Sequence, residues 1–155
     1  MISSDCIFCQ LTSDEILVPE QRLREESDYY LILSLHPQTK GHTLLIPKKH
    51  FSSLTEIPKE LQAILFQEAI KEAEYIQNSL GAKAYILRVN NMLYKLESRD
   101  KGHVGHIHIH IIPRYKSGEK LLEKNEPASK ESLMEIRRKL VRGVQSNDDK
   151  QKKVN

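Results

Sequence analysis

The chain has 155 residues, of which 39% are hydrophobic and 29% charged, with a formal net charge of +3. This size and composition predict one globular domain with its own core and exclude a chain that is disordered throughout. No apolar run reaches the roughly 20 residues that a membrane-spanning helix needs, and the N-terminal sequence lacks the pattern of a secretory signal. We therefore expect a cytoplasmic protein that has no membrane segment.

The basic excess lies near the C-terminus. Residues 1–115 are close to neutral, whereas residues 116–155 carry more Lys and Arg than Asp and Glu. We predict a folded domain over residues 1–143 and a basic, disordered tail over residues 144–155, because the tail is mostly polar. A basic tail favours RNA as one alternative partner, but the near-neutral body argues against nucleic acid as the main partner.

Strand patterns and helical patterns follow one another along the chain. Segments rich in β-branched, aromatic and leucine residues predict strands over 28–35 and 42–47, then over 84–90 and 106–112. Between the two pairs of strands, apolar residues at helical spacing predict a helix over about 58–80, with Gly81 at its C-cap. A last helix is predicted over about 128–142, ending at Gly143. This order indicates an α+β fold with a mostly antiparallel sheet of about five strands and two main helices.

Three of the seven histidines occupy alternate positions of the segment "HIHIHII". On a strand, His106, His108 and His110 share one face, while the isoleucines between them face the core. The outer two histidines lie about 13 Å apart on a straight strand, too far for all three to bind one metal ion. An imidazole can serve as base, acid, nucleophile or ligand near neutral pH, so the pattern predicts a row of histidines that divide these roles.

The segment "HIHIHII", with "KGHTLLIPKKH" (40–50) and "DCIFCQL" (5–11), resembles the histidine triad (HIT) family of nucleotide hydrolases and transferases. The resemblance extends from about residue 5 to residue 115 and is greatest to the Hint-like branch. It implies a HIT-like fold whose sheet extends across a homodimer. It also implies hydrolysis of a nucleoside 5′-monophosphate conjugate at the α-phosphorus, commonly of a phosphoramidate, through a covalent nucleotidyl-histidine intermediate.

The resemblance assigns roles to four histidines. His108, the middle member of the triad, is the implied nucleophile. His110 contacts the phosphoryl group and assists proton movement, His42 supports that network, and His106 orients its neighbours. Phosphoryl transfer needs an in-line nucleophile, hydrogen-bond donors around the oxygens and an acid for the leaving group, and these residues supply such groups without a metal ion at the phosphorus.

The only two cysteines form the motif "CIFC" near the N-terminus. By themselves, Cys6 and Cys9 are compatible with a redox pair, half of a metal site or two buried thiols. The resemblance adds His50 and His106, which implies a structural Cys2His2 zinc site.

The chain differs from the family pattern in its substrate-binding segments. Where the family has a glycine-rich phosphate loop, this chain has His103 at the serine-like position, followed by Val104; His103 either binds phosphate as a cation or faces solvent. Asn90 matches a phosphate-contacting asparagine. Ser34 replaces the ribose-binding aspartate and offers fewer hydrogen bonds to the ribose.

The sequence therefore predicts a cytoplasmic, homodimeric nucleotide hydrolase of the phosphoramidase type, with a nucleotide conjugate as its small-molecule partner. One alternative is a dinucleoside polyphosphate hydrolase. Another is a zinc-stabilised nucleotide-binding or scaffold protein without turnover, which the altered loop over residues 91–105 and Ser34 favour and the complete triad opposes.

Overall fold

The structure is a computed structural model that describes residues 6–11, 19–96, 104–121 and 126–141. In these ranges, five strands form one antiparallel sheet in the order β1-β2-β3-β5-β4. The strands are β1 Arg22–Glu25, β2 Tyr29–Leu33, β3 Thr43–Pro47, β4 Ala84–Val89 and β5 Ile109–Arg114, and the two α-helices are α1 Lys59–Leu80 and α2 Lys130–Leu140. The predicted α+β class, with its antiparallel sheet and two main helices, is confirmed.

The predicted helices lie close to the observed ones. Helix α1 ends at Leu80, and Gly81 follows with φ +70° and donates its N–H to the carbonyl of Gln77. Helix α2 begins two residues later than predicted because the hydroxyl of Ser129 caps it, accepting the N–H of Ser132. No helix in the described ranges is long and apolar enough to cross a membrane. The predicted domain boundary at residue 143 and the tail lie outside the described residues.

The last strand begins later than its sequence pattern predicts. β5 starts at Ile109, so the prediction of one strand over 106–112 is wrong at both ends. His106 and His108 lie in the segment before the strand. There the main-chain N–H of Ile107 donates to the carbonyl of Phe51 at 2.7 Å instead of to a sheet neighbour.

The two faces of the sheet differ in what covers them. Ile107, Ile109 and Ile111 pack with the buried residues of α1 and α2 on one side, as the alternation of "HIHIHII" predicts. On the other side, a small apolar cluster contains Ile32, Leu44 and Ile46 of β2 and β3, with Leu11 and Phe8 of the N-terminal segment. No helix of the described ranges packs on this second side, which we call the open face, and its apolar residues are buried against the N-terminal segment.

A buried ion pair lies on the helical side. Glu72 of α1 is fully buried, and its carboxylate contacts the guanidinium of Arg24 on β1. Arg24 also contacts the exposed carboxylate of Glu26 at 3.0 Å. The pair links α1 to the edge of the sheet. Loss of either partner would leave the other charge unpaired, which is costly at a buried position such as that of Glu72.

Helix α2 completes the core. Leu133, Ile136 and Leu140 are 2%, 6% and 5% exposed. The side chain of Arg137 donates to the main-chain carbonyl of Arg22 at 2.7 Å, so the helix is also tied to β1 by a hydrogen bond.

Candidate active site and metal cluster

A chain of hydrogen bonds orients two imidazoles, one directly before β3 and the other on β5. The main-chain N–H of Gln38 donates to Nδ1 of His42 at 3.0 Å. Because Nδ1 accepts, the proton of neutral His42 is on Nε2, which lies 3.0 Å from Nδ1 of His110 and donates to it. Neutral His110 in turn carries its own proton on Nε2. The chain of hydrogen bonds that starts at Gln38 thus ends in the N–H on Nε2 of His110.

The protonation state of His42 agrees with this arrangement. Burial lowers the pKa of His42 to about 4, and repulsion from Arg88, and from His108 in its protonated form, contributes in the same direction. His42 is therefore neutral at pH 7, as a residue that both accepts and donates a hydrogen bond must be.

His108 has the opposite tautomer to His110. Its Nδ1 lies 2.8 Å from the main-chain carbonyl of His106, and since a carbonyl only accepts, Nδ1 carries the proton. Nε2 then keeps its lone pair. The rings of His108 and His110 are 4.6 Å apart between centroids. One ring therefore offers a nucleophilic nitrogen and the adjacent ring an N–H donor.

The N-terminal segment packs against the triad through Phe8. Its ring meets the rings of His108 and His106 edge-on, with centroid distances of 5.0 and 5.8 Å. The apolar cluster of the open face adjoins Phe8. The half-buried ring of Phe8 is suited to contact with a planar, mostly apolar group lying beside the triad.

Cys6, Cys9, His50 and His106 form a cluster whose four ligand atoms all lie within 4.8 Å of one another. Nδ1 of His106 is 3.5 Å from Sγ of Cys6 and 3.7 Å from Sγ of Cys9, and Nδ1 of His50 is 3.2 Å from Sγ of Cys9. The sequence-predicted metal ligands are therefore brought together.

The protonation of the cluster also fits a metal ion. Nε2 of His106 donates to the carbonyl of Pro47 at 2.8 Å, which leaves the lone pair of Nδ1 directed at the thiols. Burial lowers the pKa of His106 to about 4, so the ring is neutral and able to ligate at pH 7. Two sulfurs and two imidazole nitrogens are a donor set typical of tetrahedral structural zinc.

The structure describes three of the four predicted substrate-binding residues. Ser34 is buried, and its N–H donates to the carbonyl of His42 at 2.9 Å. Both residues line a cavity of about 220 Å³ that α2 closes. Asn90 directly follows β4 and is half-buried, as is Val104 before the triad. His103 lies outside the described residues.

Sequence reasoning missed Phe8 and Arg88. Phe8 lies between the two cysteines of "CIFC", so the predicted metal site already implied that this residue would be brought to the triad. Arg88 pairs directly with His110 across β4 and β5. Nothing in the sequence fixes that register, so no comparable signal existed for Arg88.

An antiparallel sheet with an alternating histidine row, supported by a fourth histidine, defines the class of histidine triad proteins. Residues 17–117 match the family model described as the HIT domain. The match covers more than half of the chain, and the chain therefore belongs to the HIT family.

Several curated relatives share this family. An uncharacterized HIT-like protein of Methanocaldococcus jannaschii is 35% identical over 111 residues, which cover 71% of this chain and 79% of the relative. An adenylylsulfatase of Arabidopsis thaliana, HINT3, is 33% identical, covering 73% and 54% of the two chains. The adenosine 5′-monophosphoramidase HNT1 of Saccharomyces cerevisiae is 31% identical, covering 73% and 65%.

Solved structures with the same fold include two bacterial proteins. A Hit-like protein from Bartonella henselae has a TM-score of 0.73 at 29% identity, covering 89% of this chain and 95% of that one. A Zn-bound histidine triad protein from Mycobacterium smegmatis has a TM-score of 0.67 at 31% identity, covering 88% and 93%.

Proposed function

We propose that this HIT protein hydrolyses a nucleoside 5′-monophosphate conjugate, with a phosphoramidate as the reference substrate, through a nucleotidyl group bound to His108. The observation that carries the proposal is the pair of tautomers: a lone pair on Nε2 of His108 beside an N–H on Nε2 of His110. The names of the yeast phosphoramidase and the plant adenylylsulfatase support the same kind of reaction.

The proposed reaction has two steps. Nε2 of His108 attacks the α-phosphorus, the bond to the leaving nitrogen breaks, and its electron pair stays with nitrogen, which takes a proton from solvent while the N–H on Nε2 of His110 donates a hydrogen bond to the phosphoryl group. Water then attacks the phosphorus of the nucleotidyl-His108 intermediate, releasing the nucleoside monophosphate. The hydrogen bond from His42 holds His110 in orientation during both steps, and the carbonyl of His106 does the same for His108.

The open face supports a direction for substrate binding. We place the nucleoside beside Phe8 at the edge of the apolar cluster, with Ser34 on the ribose side and the α-phosphate over the triad. Asn90, Val104 and His103 are the proposed phosphate-side residues, as the sequence predicts. His103 is included on the family match alone.

We propose zinc as the ion of the cysteine and histidine cluster, a choice that the donor set and the Zn-bound M. smegmatis relative support. Cys6, Cys9, His50 and His106 would hold it. The ion would have a structural role, fastening the N-terminal segment to the rest of the domain. It contributes to no step at the phosphorus.

A cytoplasmic homodimer completes the proposal. Strand β4 forms one edge of the sheet, and such an edge can pair with its copy in a second subunit. Sedimentation equilibrium should give twice the chain mass of 18.0 kDa; a persistent monomer would contradict this part.

The direct test uses adenosine 5′-phosphoramidate as substrate. Wild-type protein should release AMP, and His108→Ala should lose at least about 1000-fold in kcat because the nucleophile is removed. His36→Ala is the matched control, since His36 is an exposed histidine outside the triad. Equal turnover by wild type and His108→Ala would refute the assigned nucleophile, and a quenched reaction should show one nucleotidyl group on wild-type protein only.

A further inference from the structure

A single row of residues crosses the open face from apolar to cationic. Ile32 pairs with Leu44, Leu44 with His110, and His110 with Arg88. Residues directly opposite one another in an antiparallel sheet point to the same face, with Cβ atoms about 5 Å apart. The guanidinium of Arg88 is therefore carried on the side of the triad that lies away from the apolar cluster.

Arg88 is half-buried and has an unsatisfied donor. Its Nε is buried and has no hydrogen-bond partner among the residues that the structure describes. A buried donor on a charged group is costly without an acceptor, so such a group is suited to binding an anion. The guanidinium can bind an oxyanion through two parallel N–H donors.

The charge of Arg88 acts within the site. It is the second cause, after burial, of the lowered pKa of His42, although His42 lies across β5 from β4. A charge that affects His42 also acts on a substrate bound at His110 between them.

The order of the row gives the substrate a direction. With the nucleoside on the Ile32 and Leu44 side of the triad and the α-phosphate at the triad, the leaving group extends toward Arg88. An amine leaving group is neutral after it departs and gains little from a guanidinium. A sulfate or phosphate group carries negative charge that increases as its bond to the α-phosphorus breaks.

We propose that Arg88 is a specificity-determining residue that binds an anionic leaving group, so that the enzyme favours nucleotide conjugates of an oxyanion over those of an amine. The inference rests on the proposed function and narrows its substrate class. In the first step, Nε2 of His108 bonds to the α-phosphorus, the bridging P–O bond breaks, and its electron pair stays with the oxyanion. Water then releases the nucleoside monophosphate and a proton. Sulfate needs no proton when it departs, and Arg88 stabilises its charge.

The test compares two substrates that differ only in the leaving group. We would measure kcat/KM for adenosine 5′-phosphosulfate and for adenosine 5′-phosphoramidate with wild type, Arg88→Leu and Arg88→Lys. Arg88→Leu should lose about 10- to 100-fold with the phosphosulfate, the range for a charge-assisted bidentate contact, and less than about 3-fold with the phosphoramidate. Arg88→Lys should recover part of the loss. Arg138→Leu, which removes an exposed arginine from α2, should change neither value.

Two results would overturn the proposal: an unchanged ratio of the two kcat/KM values in Arg88→Leu, or an equal loss with both substrates. An equal loss would indicate contact with the α-phosphate or a fault in folding, which a melting curve distinguishes. Failure of the proposed function is separable, since wild type would then turn over neither substrate. In that case, calorimetric titration of His108→Ala with the phosphosulfate should still give tighter binding than with the phosphoramidate, and adding Arg88→Leu should remove the difference. The absence of any such difference would refute the role of Arg88.

Discussion

Lowering the pH should destabilise the protein through His42. In the folded chain, burial holds the pKa of His42 at about 4, whereas an unfolded histidine has a pKa of about 6.5. The unfolded chain therefore binds a proton at His42 at a higher pH than the folded chain does. The contribution of His42 to stability is fully present above about pH 6.5 and is lost progressively as the pH falls toward 4.

The size of this effect follows from the two pKa values. A difference of about 2.5 pH units corresponds to about 3 kcal/mol when the titration is complete, and most of that, about 2 to 3 kcal/mol, is lost between pH 7.5 and pH 4.5. Such a loss is a large fraction of a typical folding free energy of about 5 to 15 kcal/mol.

Urea unfolding at several pH values measures the contribution of His42 to the unfolding free energy, with His42→Gln as the comparison. An amide has no titration in this range, and subtracting its curve removes the contributions that the two proteins share, including that of His106. The difference in unfolding free energy should narrow by about 2 to 3 kcal/mol from pH 7.5 to 4.5. Parallel curves would show that His42 is not held neutral by its environment, which would remove the basis for the tautomer assigned to His110.

Three further variants test other parts of the structure. Wild type should contain about one zinc ion per chain by elemental analysis, and Cys6→Ser should lose it; full retention would contradict the proposed ligands. Arg24→Leu leaves a buried carboxylate unpaired and should cost about 3 to 5 kcal/mol in urea unfolding; a loss below about 1 kcal/mol would show that the carboxylate is solvated. Gly41→Ala should lower the melting temperature more than Gly118→Ala does: both glycines have positive φ, but only at Gly41 would the added Cβ overlap a neighbour, Leu80. Equal losses in melting temperature would show that the positive φ alone, and not contact with Leu80, accounts for the cost.

The main elements were predictable because their periodicities are strong. The apolar residues of α1 recur at helical spacing up to Gly81, and the isoleucines of "HIHIHII" alternate as a strand face requires. Strand β1 was missed because "RLRE" is short and mostly charged, a pattern that resembles a solvated loop. It forms a strand because β2 supplies its hydrogen bonds, a tertiary effect that local sequence does not carry.

The site was predictable to the extent that it rests on motifs. The spacing of Cys6 and Cys9 left three chemistries open, and only the family resemblance named the two histidines that complete the cluster. The tautomers of His108 and His110 depend on main-chain groups at Gln38 and His106. Such contacts are a property of the folded backbone and have no sequence signature. The position of Arg88 depends in the same way on sheet register.

Helix α2 lies beyond residue 117, where the match to the HIT domain ends. Its three inward side chains are nevertheless part of the central core, and burying each contributes about 1.5 to 3 kcal/mol. The unit that folds is therefore larger than the unit that defines the family. An expression fragment cut to the domain boundary would lack these side chains, expose the core residues that they cover and be prone to aggregate. A homologous domain exchanged at that boundary would have to bring its own replacement for this helix.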